Sequence, residues 1–148
     1  MNPGIPESIR ELIGDHDHAD VVTLTTGDAA TWTPEQWARA AFGDAAGRSG
    51  QFIWRVVLGL RLKRRTRPGQ VAGWPIDGTG ENWIRLRARS WMLIGQLVIR
   101  IEGDRVSMAT VVRFRRRIGE RVWNLLSGIH AKAAPEVLRE AHEVLKSR

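Results

Sequence analysis

Apolar and polar positions alternate along residues 83–116, and that alternation predicts a β-meander with one apolar face. Ile84, Leu86, Ala88 and Ser90 fall on one side, and Trp83, Arg85, Arg87, Arg89 and Trp91 on the other. A side-chain period of two puts the two sets on opposite faces of a sheet. Leu93, Gly95, Leu97, Ile99 and Ile101 repeat the pattern against Gln96 and Arg100. Glu102-Gly103-Asp104-Arg105 reads as a tight hairpin, with Gly103 able to take positive φ. The returning strand turns Val106, Met108, Thr110, Val112 and Phe114 inward, and Ser107, Arg113 and Arg115 outward. The turn near residues 90–93 contains neither Gly nor Pro, so alternation alone sets its register.

Beyond the meander the spacing changes to three and four. Ile118, Val122, Leu125, Leu126 and Ile129 predict an apolar stripe on a helix covering 118–146. Pro135 lacks an N–H and crowds the preceding turn, so a kink or interruption is expected there. Val137, Leu138, Ala141, Val144 and Leu145 then form a second stripe. Lys146 and Arg148 suit the negative end of the helix dipole.

The first half is less regular. Residues 1–18 read as a lead-in with a short helix at 6–13, and 21–26 as a β-branched strand. Thr33 is a candidate N-cap, with Pro34 at the first helical position and Gln36 completing a capping box. That helix is expected to run to about Phe42, where Gly43 can end it. A second helix is expected at 49–62, then a basic connector at 63–69, a strand at 71–76 and a turn at 77–80. The order is strand, two helices, strands and a long helix, an α+β arrangement in one domain spanning 1–148.

At 148 residues the chain can bury a core without staples. It has no cysteine, which excludes disulfides, thiolate metal sites and a cysteine nucleophile. No stretch reaches the roughly 18 apolar residues of a membrane span, and no signal-peptide pattern opens the chain. A soluble cytoplasmic protein is the expectation. The net charge of +7 is uneven. Residues 1–48 hold eight acids and three bases, a net of −5, and residues 49–148 hold twenty bases and eight acids, a net of +12. An acidic N-terminal segment lying against a basic remainder would make much of that asymmetry internal.

The element order resembles a known group. So do Gly73-Trp-Pro-Ile-Asp-Gly-Thr-Gly-Glu-Asn-Trp83 and Thr110-Val-Val-Arg-Phe114. The chain is similar, over roughly residues 5–140, to a bacterial family of the START-like (SRPBCC) superfamily. That superfamily includes polyketide cyclases, lipid-transfer domains and birch-pollen allergens. The resemblance implies a helix-grip fold, a curved antiparallel sheet wrapped on a long C-terminal helix, with an apolar cavity between them. It brings no universal catalytic residue.

The expected function is binding of a small hydrophobic or amphipathic molecule, desolvated between sheet and helix. Expected lining residues are Trp74, Leu86, Ala88, Ser90, Leu97, Ile99, Met108, Thr110, Val112, Trp123, Leu126 and His130. Buried hydroxyls at Ser90 and Thr110 need partners, which a ligand or a backbone carbonyl would supply. His130 is also the candidate acid/base of an enzyme alternative, a cyclase or hydratase with Thr110 positioning substrate. The seven tryptophans serve a cavity rim or a core equally well. Asp15, His16, Asp17, His18 and Asp20 crowd N and O ligands, but successive residues rarely converge on one ion. No metal and no cofactor are expected. Gly78-Thr79-Gly80 lacks a following helix and is no nucleotide fingerprint.

A third class rests on arginine. Residues 63–67, Arg85, Arg87, Arg89, Arg113, Arg115, Arg116, Arg117 and Arg121, with Trp83 and Trp91, would suit a nucleic acid or an anionic surface. No helix-turn-helix or RNA-recognition signature accompanies them. A solvated, partly ion-paired face is the plainer expectation.

Overall fold

A computed structural model of the chain describes residues 6–45 and 70–147. The expected helix at 49–62, the basic connector at 63–69 and Trp54 lie outside the described residues. Six antiparallel strands form one run in the order β1-β6-β5-β4-β3-β2. They are β1 (His18–Thr25), β2 (Gln70–Val71), β3 (Trp74–Thr79), β4 (Trp83–Arg89), β5 (Leu93–Glu102) and β6 (Arg105–Phe114). The helices are α1 (Glu7–Arg10), α2 (Pro34–Ala38), which continues as a π-helical turn through Arg39–Ala45, and the terminal α3 (Arg117–Lys146). A sheet packed on a long C-terminal helix is the helix-grip fold. Among the described residues, no helix is long and apolar enough to cross a membrane.

The meander follows the alternation residue by residue. Glu102 pairs with Arg105 around Gly103, whose φ is +59°. The turn without glycine is closed by Ser90 itself. Its amide donates to the Leu93 carbonyl, and its Oγ accepts from the amides of Met92 and Leu93 at 3.2 and 3.1 Å. A serine hydroxyl mimicking backbone replaces the glycine that such turns commonly use.

Two boundaries shift. The stretch 77–80, expected as a turn, is mostly strand, because β3 runs to Thr79 with a register shift between Ile76 and Gly78. The tight turn lies earlier, at Ala72 and Gly73, with φ of 52° and 88°. Positive φ at both central residues is what a two-residue hairpin needs. Strand β1 starts at His18, three residues earlier than expected, because Asp17 and His18 already join β6.

The capping box is present in full: Gln36 N donates to Thr33 Oγ1 at 3.1 Å, and Thr33 N donates to Gln36 Oε1 at 2.8 Å. The terminal helix departs from expectation twice. It passes through Pro135 as one helix. A missing bond and ring crowding cost about 3 kcal/mol there, which the packed residues on both sides, Ala134 and Leu138, offset. The first half of the helix is also rotated by about a third of a turn from the stripe predicted for 118–129, whereas Leu138, Ala141 and Leu145 of the second predicted stripe are buried as expected. Gly119, Trp123, Ala134, Leu138, Ala141 and Leu145 are buried, whereas Leu125 is 80% and Ile129 60% exposed.

Small residues explain the rotation. A Cβ at Gly119 would collide with the Met92 carbonyl, which also accepts from the amides of Arg115 and Arg116. Backbone therefore meets backbone where the helix leaves the sheet, and Ala134 and Ala141 keep the rest close.

The main core lies between the inner sheet face and α2 and α3. A smaller one lies on the outer face, where Ile9 and Leu12 cover Ala19, Val98, Ala109 and Val111. The lead-in is thus a second packing layer, fastened by Arg100 Nη1 donating to the Ser8 carbonyl and Arg85 Nη1 to the Leu12 carbonyl.

Gly119→Ala tests the close approach. On a free helix the change stabilises by up to about 1 kcal/mol. Against the Met92 carbonyl it should destabilise by about 1–2 kcal/mol in urea unfolding, as overpacking does. A rise in the midpoint would contradict the contact.

Candidate functional site

The inner face separates the expected lining residues into two groups. Leu86, Ala88, Leu97, Ile99, Met108 and Val112 are buried on the inner face. They make an apolar wall. Trp74 on β3 is buried too, its ring lying against Gly95 of β5. Ser90 must be corrected: its hydroxyl is consumed by its own turn and offers nothing to a ligand.

Thr110, Trp123, Leu126 and His130 gather toward the β1 edge of the same face, where α3 meets β1. Asp20 stands opposite Thr110 in the β1/β6 register, and opposite residues share a face. His18, Asp20, Val22 and Leu24 are therefore the inward set of β1. His18 Nε2 lies 2.9 Å from Asp20 Oδ2, and His130 Nε2 lies 3.2 Å from the same carboxylate. One carboxylate thus holds two imidazoles. The Trp123 ring packs between them, its centroid 5.0 Å from His18 and 5.4 Å from His130.

Trp123 Nε1 is buried and has no hydrogen-bond partner among the described residues. A buried indole N–H without an acceptor is costly, so the group is primed for one. Thr110 adds a hydroxyl with no side-chain hydrogen bond among the described residues. Leu126 and His130 are half-buried at the edge of this spot.

Burial pushes the Asp20 carboxyl up. Hydrogen bonds from His130 and His18, and their charge when protonated, outweigh it and bring the group from 3.8 to about 2. Asp20 is therefore an anion at neutral pH and anchors both rings.

A second cluster fastens the far end of α3. His142 Nε2 lies 2.9 and 3.0 Å from the two Asp28 oxygens, and Thr26 Oγ1 donates to Asp28 Oδ1 at 2.5 Å. The Thr26 hydroxyl and then His142 hold the Asp28 carboxyl below its ordinary value. His142 stacks on Trp37 at 5.7 Å and meets Trp32 edge-on at 5.9 Å. Trp37 Nε1 donates to the Ala29 carbonyl, so the buried indole of this cluster is satisfied within the fold.

The residues weighed as a metal set are dispersed. His16 bonds the Gly14 carbonyl, Asp17 accepts from the Phe114 amide, and His18 turns inward to Asp20. Among the described residues, no group of three His, Asp or Glu side chains converges on an ion site. The arginine face is also partly internal. Arg85 pairs with Asp77 and lies on Trp83, Arg100 pairs with Glu102, and Arg115 Nη1 donates to the Ser90 carbonyl.

No protein-family model matches this chain, and no curated protein matches it. Solved structures match it at low identity. The di-domain ARO/CYC BexL from the BE-7585A biosynthetic pathway shares 13% identity over 85% of this chain at a TM-score of 0.44. This chain spans 49%, about half, of that protein's length. Ara h 8.0201 shares 8% identity over 88% of this chain and 99% of its own, at a TM-score of 0.41. Ms6760 from Mycobacterium smegmatis shares 11% identity over 90% and 98%, at 0.42. Likenesses of this size carry no argument about what this chain binds.

The Asp20 cluster has a pH signature. A carboxyl held at about 2 in the folded chain and near 3.8 when free contributes stability above the higher value. That contribution disappears as pH falls from about 4 to 2. Asp20→Asn should cost about 1 kcal/mol at pH 7, a discounted figure because a third of the side chain meets water. It should also flatten the acid limb of a thermal-melt profile between pH 4 and 2. An acid limb unchanged by the substitution would contradict the assignment.

Proposed function

We propose that this protein binds a small, neutral amphipathic molecule between the inner sheet face and α3. Its apolar body lies along the wall of Leu97, Met108 and Val112, and its acceptor end meets the Trp123 indole. The observation that carries the reading is the buried Trp123 Nε1 with no partner, set beside two histidines and Thr110. Apolar surface supplies most of the affinity, and the contacts to Trp123 and Thr110 fix orientation. The fixed Asp20 anion disfavours a carboxylate head and favours a carbonyl or ether oxygen, which accepts from Trp123 and Thr110.

A second reading follows from the Asp20–His130 bond. With Asp20 holding Nε2–H, the other ring nitrogen of His130 is free to take a proton from a bound carbonyl compound. Thr110 would then position the carbonyl. This is the cyclase or hydratase alternative, with His130 as acid/base and ligand entry between sheet and α3 as its prerequisite.

The first reading is tested with a medium-chain methyl ketone, 2-nonanone, against nonanoate of equal length. The ketone should quench tryptophan fluorescence saturably and raise Tm by mass action. It should bind more tightly than nonanoate, and Trp123→Phe should weaken it by about two- to tenfold, the worth of one hydrogen bond. No quenching and no shift in Tm up to the solubility limit of the ketone would overturn the proposal.

A further inference from the structure

The outer face of the sheet holds a pocket that the inner-face reading does not use. It is about 140 Å³ and is lined by Gly14, Asp15, Arg87, Ile94, Gln96, Val111 and Arg113. Strand pairing explains its construction. Gln96 of β5 stands between Arg87 of β4 and Val111 of β6, and Ile94 stands opposite Arg113. The floor is therefore Gln96, Ile94 and Val111, with one guanidinium rising on each side. The lead-in closes the remaining side at Gly14 and Asp15.

Three facts separate this place from an ordinary solvated surface. Arg85, Arg100 and Arg115 are engaged by backbone carbonyls. Arg87 and Arg113 have no hydrogen bond and no ion pair among the described residues. Gln96 lines the pocket, and its Oε1 is buried with no partner among the described residues.

Two arginines lining one small volume suit an oxyanion, since each guanidinium presents paired N–H donors to paired oxygens. An oxyanion alone would leave the amide oxygen of Gln96 unsatisfied and facing like charge. A carboxylate at Asp15 adds to that demand for a donor. The complement is an oxyanion that keeps one O–H. We infer that the pocket binds a hydrogen-phosphate group, its charged oxygens on Arg87 and Arg113 and its O–H donated to Gln96 Oε1. The volume accommodates a single tetrahedral group, free or at the end of a small ester.

Sulfate is the discriminating control. It has the same shape and a double negative charge, and at neutral pH it has no O–H. Isothermal titration at pH 7 and fixed ionic strength should give saturable phosphate binding and sulfate binding weaker by at least about threefold. Fixed ionic strength matters because a protein of net charge +7 attracts any anion. Arg87→Gln and Arg113→Gln, both at exposed positions, should each weaken phosphate by at least about tenfold, the range of a lost charge-assisted contact. Gln96→Leu should remove the preference for phosphate over sulfate. Arg121→Gln, distant on α3, should change neither anion. Absence of saturable phosphate binding would overturn the inference. So would equal phosphate and sulfate affinity in the native chain, or arginine variants that bind like it. 2-Nonanone binding is unaffected by these three pocket substitutions, so failure here and failure of the inner-face reading are told apart.

Discussion

Everything distinctive in this protein depends on the period of two along β4, β5 and β6. Each strand must serve two layers at once. Leu86, Leu97, Ile99, Met108 and Val112 face the layer formed by α2 and α3, and their immediate neighbours face the lead-in or water. Backbone pairing fixes which side chains stand side by side across the strands, so neither face can be changed without moving the other. The inner rows are apolar and carry Thr110. The outer rows carry the arginines, with Gln96 among them. One sheet thereby builds an apolar wall and, a strand's thickness away, a small cationic pocket.

The terminal helix has to meet that sheet closely, and two different interactions achieve it. Gly119, Ala134 and Ala141 remove bulk where backbone approaches backbone. His130 and His142 then reach from the helix to Asp20 and Asp28, which lie on β1 and just beyond it. The first arrangement is non-directional and sets distance. The second is directional and sets rotation. Together they turn Leu125 and Ile129 outward and Trp123 inward. The two aspartate clusters differ in what they leave over. Around Asp28 the buried Trp37 indole N–H has its acceptor, whereas around Asp20 an indole N–H and a hydroxyl remain open among the described residues.

Much of the fold is legible from local spacing. The alternation of 83–116, the Gly103 hairpin and the Thr33 capping box depend on neighbours within a few residues, and the structure has all three. The rotation of α3 is not local. Ile118, Leu125 and Ile129 form a better apolar stripe by composition than Gly119, Trp123 and Ala134 do. What decides between the stripes is the proximity of Met92 and Asp20, and neither is visible from the helix sequence. The candidate site behaves the same way. His130 and Thr110 stand out individually, but Asp20 is 110 residues from His130, and only the sheet register brings it to Thr110. A signal for it did exist, since His18, Asp20, Val22 and Leu24 alternate along β1. The arginine row needed the third dimension most. Arg85, Arg100 and Arg115 differ from Arg87 and Arg113 only in which carbonyls lie within reach.

The central claim is that the two faces of this sheet recognise different chemistry. Its most direct test is a ¹⁵N NMR spectrum in which the Trp123 indole and the Arg87 and Arg113 Nε–H signals are assigned by single substitutions. Adding 2-nonanone should move the Trp123 signal and leave both arginine signals in place, and adding phosphate should do the reverse. Movement of the same signals by both ligands, or a Trp123 signal indifferent to the ketone, would contradict the account.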